Sequence, residues 1–306
     1  VFDGIDTIVL PAADIGALQS LYTDLFGFAQ ISDEPVTDAH WQTLWNLPLR
    51  PTRTVLLGKP ASNGGWIRLV EVPGLPPACP AGRPDRTGPY ALDFYQRDAA
   101  AAEHRIESGG WEFRSPATHY TLPGTDLPVR ERMLEQPISG LVHASVQYRP
   151  RGTRCVIGHD ESEDTSEVVA VVYLTDRFEQ AKAFAAEVLG GQKYFEGRFD
   201  DPAVAQMLAL EQGEGFAVAL FRGPESRNAR LEFAEQIPGG HRAADPIPRV
   251  IASCPISDLD GLAARVADGR HGPSTGILQA TDSAGTTRRL GLRTVYGATF
   301  EFFERA

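Results

Sequence analysis

The 306-residue chain is poor in cysteine, methionine, tryptophan and positive charge: three cysteines, two methionines, four tryptophans, and 29 basic against 40 acidic residues. Each scarcity excludes something. Cys79, Cys155 and Cys254 are odd in number and form no CxxC pair, which excludes a disulfide framework and points to a reducing cytoplasm. None neighbours a histidine in sequence, so they read as small buried hydrophobes rather than nucleophiles. The arginines are scattered, no basic run exceeds two residues, and the formal charge is −11. A nucleic-acid surface needs clustered Lys and Arg, so no nucleic-acid partner is expected. No window approaches roughly eighteen apolar residues, so no membrane span is expected. No charged segment leads into an apolar run at the N-terminus, so no signal peptide is expected.

What is there is repetition. In GIDTIVLPAADIGALQSLYTDLFGF (4–28), Ile5 to Leu10 is β-branched and apolar, as a strand requires, and Pro11 ends it. Asp14 is placed to cap a helix whose apolar residues Ile15, Leu18, Leu21, Tyr22, Leu25 and Phe26 recur at helical spacing. Gly27 closes the helix in the left-handed conformation. The plan returns three times: YALDFYQ with Asp98, VVAVVYL with Asp176, and RVIASCPI with Asp258. Asp14 and Asp98 lie 84 residues apart and Asp176 and Asp258 lie 82 apart, while the half-chain steps are 162 and 160. A quarter-chain repeat nested in a half-chain repeat defines four modules.

Each module also ends alike, in a glycine-containing turn and an apolar strand: GGWIRLVEV, SGLVHASVQ, SRNARLEFAEQ and YGATFEFFER. The register places Arg68, His143, Glu232 and Glu301 at equivalent positions. The pattern is βαβββ, four times. The expected fold class is α+β, with a first domain at 1–150 (modules 1–84 and 85–150), a linker at 151–166 and a second domain at 167–306 (modules 167–245 and 246–306). Two insertions, Val36–Pro51 and Pro73–Pro89, decorate the modules.

Four βαβββ modules with Asp-capped helices and closing strands of the type GATFEFFE resemble the vicinal oxygen chelate superfamily. That group includes glyoxalase I, bleomycin- and fosfomycin-resistance proteins and extradiol dioxygenases. The resemblance implies two cupped, mixed β-sheet barrels with helices outside and ligands in the concavities. It implies pairing of module 1 with 2 and 3 with 4; pairing of 1 with 4 and 2 with 3 is the alternative. It also implies a divalent metal (Fe, Mn, Zn or Ni) held by His or Gln on first strands and Glu on last strands, with substrate oxygens at the open positions. By that register the first-strand positions hold Thr7, Ala91, Val169 and Ile251, none of them a ligand. Glu232 and Glu301 remain as metal candidates, and the expected site is degenerate, with one metal or none.

Other residues carry chemistry of their own. Asp93 and Tyr95 alternate on one face of YALDFYQ, and a carboxylate in an apolar strand needs a partner or a task. With His143 they form the expected catalytic group; an Asp–Arg pair holding the barrel is the structural alternative. Arg68 suits an anionic group, and Trp41, Trp66, His119 and Tyr120 suit the walls of an organic ligand, although core packing accounts for most tryptophans. His40 and Trp41 on the first insertion suit a lid. The expected function is a lyase or isomerase acting on a small organic molecule; the alternative is a non-catalytic binding or sequestration protein. Extradiol dioxygenase and standard glyoxalase chemistry are not expected. The expected partner is a small molecule, with no nucleic acid or membrane, in a cytoplasmic monomer or homodimer.

Overall fold

The computed structural model describes residues 2–80, 82–148, 155–224, 229–239, 242–283 and 285–304. Module 1 contributes strands β1 (Thr7–Ala12), β2 (Ala29–Pro35), β3 (Arg53–Gly58) and β4 (Trp66–Glu71). Module 2 contributes β5 (Gly88–Gln96), β6 (Thr118–Thr121), β7 (Pro128–Gln136) and β8 (Leu141–Tyr148). Module 3 contributes β9 (Thr165–Leu174), β10 (Gln192–Phe199), β11 (Gly215–Arg222) and β12 (Arg230–Ile237). Module 4 contributes β13 (Ile251–Pro255), β14 (Ser274–Asp282), β15 (Gly285–Arg293) and β16 (Thr299–Phe303). Each first strand leads into a helix, and the α+β class with tandem βαβββ modules is what the repeat predicts. Of the closing stretches, residues 226–228 and 305 lie outside the described residues.

The helices show how far the repeat reaches. Gly16–Ser20 and Phe178–Ala183 both widen into a π turn, at Leu21–Leu25 and Phe184–Val188, whereas Ala99–Ser108 and Leu259–Val266 are α-helical throughout. Modules 1 and 3 are thus one type and modules 2 and 4 the other. Asp98 caps its helix by accepting the N–H groups of Ala100 and Ala101, and Asp258 accepts that of Gly261. The other two aspartates differ from expectation. Asp14 stands one residue outside the cap and accepts the Gly16 N–H at 2.8 Å. Asp176 makes no cap: the helix begins after Arg177, whose N–H is taken by Thr175 Oγ1 at 3.0 Å. Gly27 has φ +70°, the left-handed turn expected of it.

Two eight-stranded sheets result. Sheet A runs β14-β15-β16-β13-β1-β4-β3-β2 and sheet B runs β10-β11-β12-β9-β5-β8-β7-β6. Module 1 therefore shares a sheet with module 4, and module 2 with module 3, which corrects the pairing of 1 with 2 and 3 with 4. Each sheet draws on both halves of the chain, so the sheets do not divide at the expected linker. The reason lies in the connection between β8 and β9. Arg97 gathers three of its carbonyls, those of Ile157, Asp160 and Glu163, at 2.9, 2.7 and 2.9 Å. That folds the chain back so that β9 runs antiparallel beside β5. Residues 151–154 of the expected linker lie outside the described residues, and its end, Thr165 and Ser166, already belongs to β9.

Side chains alternate across each strand, so every sheet has a cup face and an outer face. The outer faces share one core with the helices. Ile8, Leu10 and Phe300 from sheet A meet Leu92, Phe94 and Tyr173 from sheet B in it. Burial of side chains of this size contributes roughly 1.5–3 kcal/mol each, and this shared layer is what holds the two sheets together. No helix among the described residues is long and apolar enough to cross a membrane.

Candidate functional site: one filled cup and one open cup

Both cups have floors of small residues, and they differ in what stands on that floor. In sheet A one row crosses Trp66, Thr7, Ser253, Glu301 and Gly291 from strand to strand. The space above Thr7, Ser253 and Gly291 is taken by the chain itself. The insertion helix His40–Leu44 drops into the cup with Trp41 and Trp45, both buried and tilted against each other at 4.7 Å. Trp45 Nε1 donates to Glu301 Oε2 at 2.6 Å, and Trp41 Nε1 donates to the Thr281 carbonyl at 3.1 Å. Arg289 pairs with the other Glu301 oxygen and lies over the Trp41 ring. At Gly291 a Cβ would fall 2.4 Å from the Leu44 carbonyl oxygen, so only glycine admits the helix so deeply.

This plug reassigns several expected residues. Trp41 packs inside cup A, and His40, exposed and 3.0 Å from Asp38, stands at the start of the plug helix. Arg68 faces the same cup, over Trp41 and 3.9 Å from Asp282. Trp66 donates to Ser62 Oγ at 3.0 Å and packs against Gly58. Glu301 is an ion-paired, hydrogen-bonded core carboxylate. It shares no site with Glu232, which belongs to the other sheet.

Cup B is open. Its floor is Ala91, Ala144 and Ala170, and with no bulky side chain at the centre a cavity of about 530 Å³ remains, well within the usual ligand range. Both methionines of the chain, Met133 and Met207, line it together with Phe199, Phe216 and Leu220. Into this apolar space point three carboxylates, Asp93, Glu131 and Glu232, and one guanidinium, Arg230. The registers place them. Asp93 and Arg230 both flank Ala170 of β9, while Ala91 and Glu232 both flank Val172 in the adjoining row. Glu131 and Tyr95 flank Val146 of β8.

Tyr120 donates to Glu131 Oε2 at 2.5 Å. Arg230 Nη1 donates to Tyr95 Oη at 3.1 Å and to the Val169 carbonyl at 3.3 Å, and its guanidinium lies over the Tyr95 and Tyr194 rings. Glu232 is 8% exposed and has no hydrogen bond or ion pair to any described residue. Burial and then repulsion by Asp93 and Glu131 push its carboxyl well above the usual range, against the pull of Arg230. Asp93 rises likewise, by burial first and then by Glu131. Burial pushes Glu131 up to about 7, opposed by the Tyr120 hydroxyl. Glu131 thus holds a proton near neutrality, beside two carboxyls that burial also pushes up.

Of the expected site residues, the structure brings Asp93, Tyr95, Tyr120 and Glu232 into one cavity. His143 is not among them. Val142, Ala144 and Val146 face cup B, so strand alternation turns His143 into the shared core. There its Nε2 meets Tyr22 Oη at 2.9 Å, between the Phe26 and Phe94 rings, and burial lowers its pKa to about 4. His119 is exposed on β6 and does not line the cavity. Val169 likewise faces away, while Ala170 and Val172 of the same strand face the cup.

Glu131, Arg230, Tyr148 and Tyr194 are site residues that the sequence reading missed. Three were within its reach: Arg230 is two residues before Glu232, Tyr148 two after Val146, and Glu131 alternates with Val129 and Met133. Tyr194 was not, because it sits at a register shift between Lys193 and Phe195.

Comparison with known proteins supports the fold. No protein family and no curated protein matches the sequence. Among solved structures, glyoxalase I from Zea mays superposes with a TM-score of 0.61 at 13% identity, covering 99% of this chain and 92% of that one. A proposed dioxygenase from Bacillus subtilis subsp. subtilis strain 168 gives 0.59 at 13% identity, covering 99% and 85%. The chain has the two-barrel vicinal oxygen chelate fold; at this identity the likeness concerns fold alone.

The fold implies a divalent metal, and the donor set in cup B does not fit one. No imidazole lines the cavity, and of the first-strand residues facing it only Asp93 is a carboxylate, beside Tyr90, Ala91, Tyr95, Ala170 and Val172. Among the described residues no three His, Cys, Asp or Glu side chains are grouped to hold an ion.

Proposed function

We propose that the chain binds a small organic molecule with a flat or branched apolar body in cup B and moves a proton on it, as a lyase or isomerase. The observation that carries this reading is Glu232: a buried carboxyl with no described partner, aimed into an apolar cavity beside Asp93 and Glu131. A carboxyl whose hold on its proton burial has strengthened serves as base in one step and acid in the next. In its ionised form one carboxylate takes a proton from carbon. The resulting acid returns it to a second carbon in an isomerisation, or to the departing group in an elimination. Tyr120 holds Glu131 in place by its hydrogen bond, and Arg230, fixed by Tyr95, supplies positive charge to an oxyanion developing in the substrate. No step passes through a metal.

The test is deuterium uptake. Aryl ketones with acidic C–H bonds are incubated with the protein in heavy water, and exchange at carbon is followed by NMR. Exchange above the buffer rate, lost in Glu232→Gln and Glu131→Gln and kept in His143→Gln, is the expected result. The aromatic and methionine walls favour a second reading, sequestration without turnover; compounds that bind in cup B yet exchange no faster than in buffer would establish it.

A further inference from the structure

We infer that the molecule taken by cup B is an organic cation, an amine protonated at neutral pH carried on an aromatic or branched apolar body. This rests on cup B being the ligand site and names the class of ligand. The geometry supports it from three sides. First, three carboxyl groups face the cavity against one guanidinium, so acidic side chains outnumber the basic one three to one. Second, the one cation is already engaged: Arg230 donates to Tyr95 and Val169 and stacks on two tyrosine rings, whereas Glu232 and Asp93 have no hydrogen bond or ion pair to any described residue. Third, tyrosines come from four directions, Tyr95 on β5, Tyr120 on β6, Tyr148 on β8 and Tyr194 on β10, and two of these rings, Tyr95 and Tyr194, already carry a cation, the Arg230 guanidinium, over their faces.

An anionic ligand would add charge to this cup, and a neutral one would leave Glu232 without a partner. Tyr90, the remaining titratable group on the wall, is held by Arg114 Nη2 at 3.1 Å and brings no charge of its own. The acidic chain as a whole, at −11, also draws cations toward the cup mouth.

Three probes with one aromatic body test this: 1-naphthylmethylammonium, 1-naphthalenemethanol and 1-naphthoate, titrated at about pH 8 with naphthalene fluorescence as the readout. The ammonium should bind about tenfold more tightly than the alcohol and the naphthoate more weakly than either. In the double variant Asp93→Asn, Glu232→Gln the ammonium should lose its advantage while the alcohol still binds, which also shows that the variant is folded. Naphthoate binding as well as the ammonium, or an advantage that survives the double variant, overturns the inference. A variant that binds no alcohol is replaced by Glu232→Gln alone, read in the same way. Val172→Trp, which fills the cavity, separates the two levels of the reading. Alcohol binding blocked by Val172→Trp but without preference for the cation leaves cup B as the site and sinks only the cation. Binding of none of the three at millimolar concentration overturns both.

Discussion

Trp45 donates its indole N–H to Glu301 at 2.6 Å across 256 residues of sequence, and this bond seals cup A. It ties the insertion of module 1 to the closing strand of module 4, so the plug reinforces the sheet that joins the two ends of the chain. Trp45→Phe keeps an aromatic ring and removes the donor along with the pyrrole part of the indole. Because the acceptor is a buried, ion-paired carboxylate, the expected loss is about 1.5–3 kcal/mol in urea unfolding. Gly291→Ala attacks the same plug from its other side, where the new methyl meets the Leu44 carbonyl, and should cost about 1–3 kcal/mol. Wild-type stability in both variants would mean that the helix does not occupy the cup.

Glu131 sets a second expectation, with a definite sign. Its folded pKa stands near 7 against an ordinary 4.5, so between those values the folded chain holds a proton that the unfolded chain releases. Its contribution is fully present below pH 4.5 and is lost as pH rises through 7. At about 1.4 kcal/mol per pH unit this comes to about 3 kcal/mol. Glu131→Gln, which keeps an amide for Tyr120 to bond, should therefore gain on the wild type between pH 4.5 and 8. Parallel stability curves across that range would place Glu131 in water rather than in the cup.

How much of this was legible in the sequence follows from what each signal depends on. The modules could be read because strand, helix and glycine turn are local, and Asp98 and Asp258 cap where they should. Sheet pairing could not, because it turns on Arg97 gathering the carbonyls of residues far along the chain. Asp93 and Tyr95 were legible by alternation from one strand. His143 was misplaced by the same rule, since a shift of one residue in the register exchanges cup face for core face. The plug was invisible because Trp41 and Trp45 have the same appearance in sequence whether they line a pocket or fill one.

Arg230 offers a test of the electrostatics within cup B. Its guanidinium pulls down the carboxyls of Asp93 and Glu232, which burial pushes up. Arg230→Met keeps the apolar stem and removes the charge, so both carboxyls should titrate higher still. Carbon-13 NMR of the labelled carboxyl groups reads this directly. Unmoved titrations would show that Arg230 turns its charge away from the cavity.

His143 gives the opposite slope to Glu131, and the two can be separated because they lie on opposite faces of adjacent strands. Burial beside Tyr22 lowers the His143 pKa from 6.5 to about 4, so the folded chain refuses a proton that the unfolded chain accepts. The stability it supports is present above pH 6.5 and is lost as pH falls toward 4, by about 3 kcal/mol. In the wild type this loss and the gain from Glu131 overlap between pH 4.5 and 6.5 and partly cancel, so the native curve alone reveals neither. His143→Gln retains a hydrogen-bonding group for Tyr22 but cannot titrate. Its deficit against the wild type should be largest near pH 7 and shrink as the solution is acidified to pH 4. The same measurement in a Glu131→Gln background should give the same difference, since well-separated sites add. A deficit that stays constant with pH would mean that His143 takes up its proton at the same pH in the folded chain as in the unfolded one, so that burial does not lower its pKa.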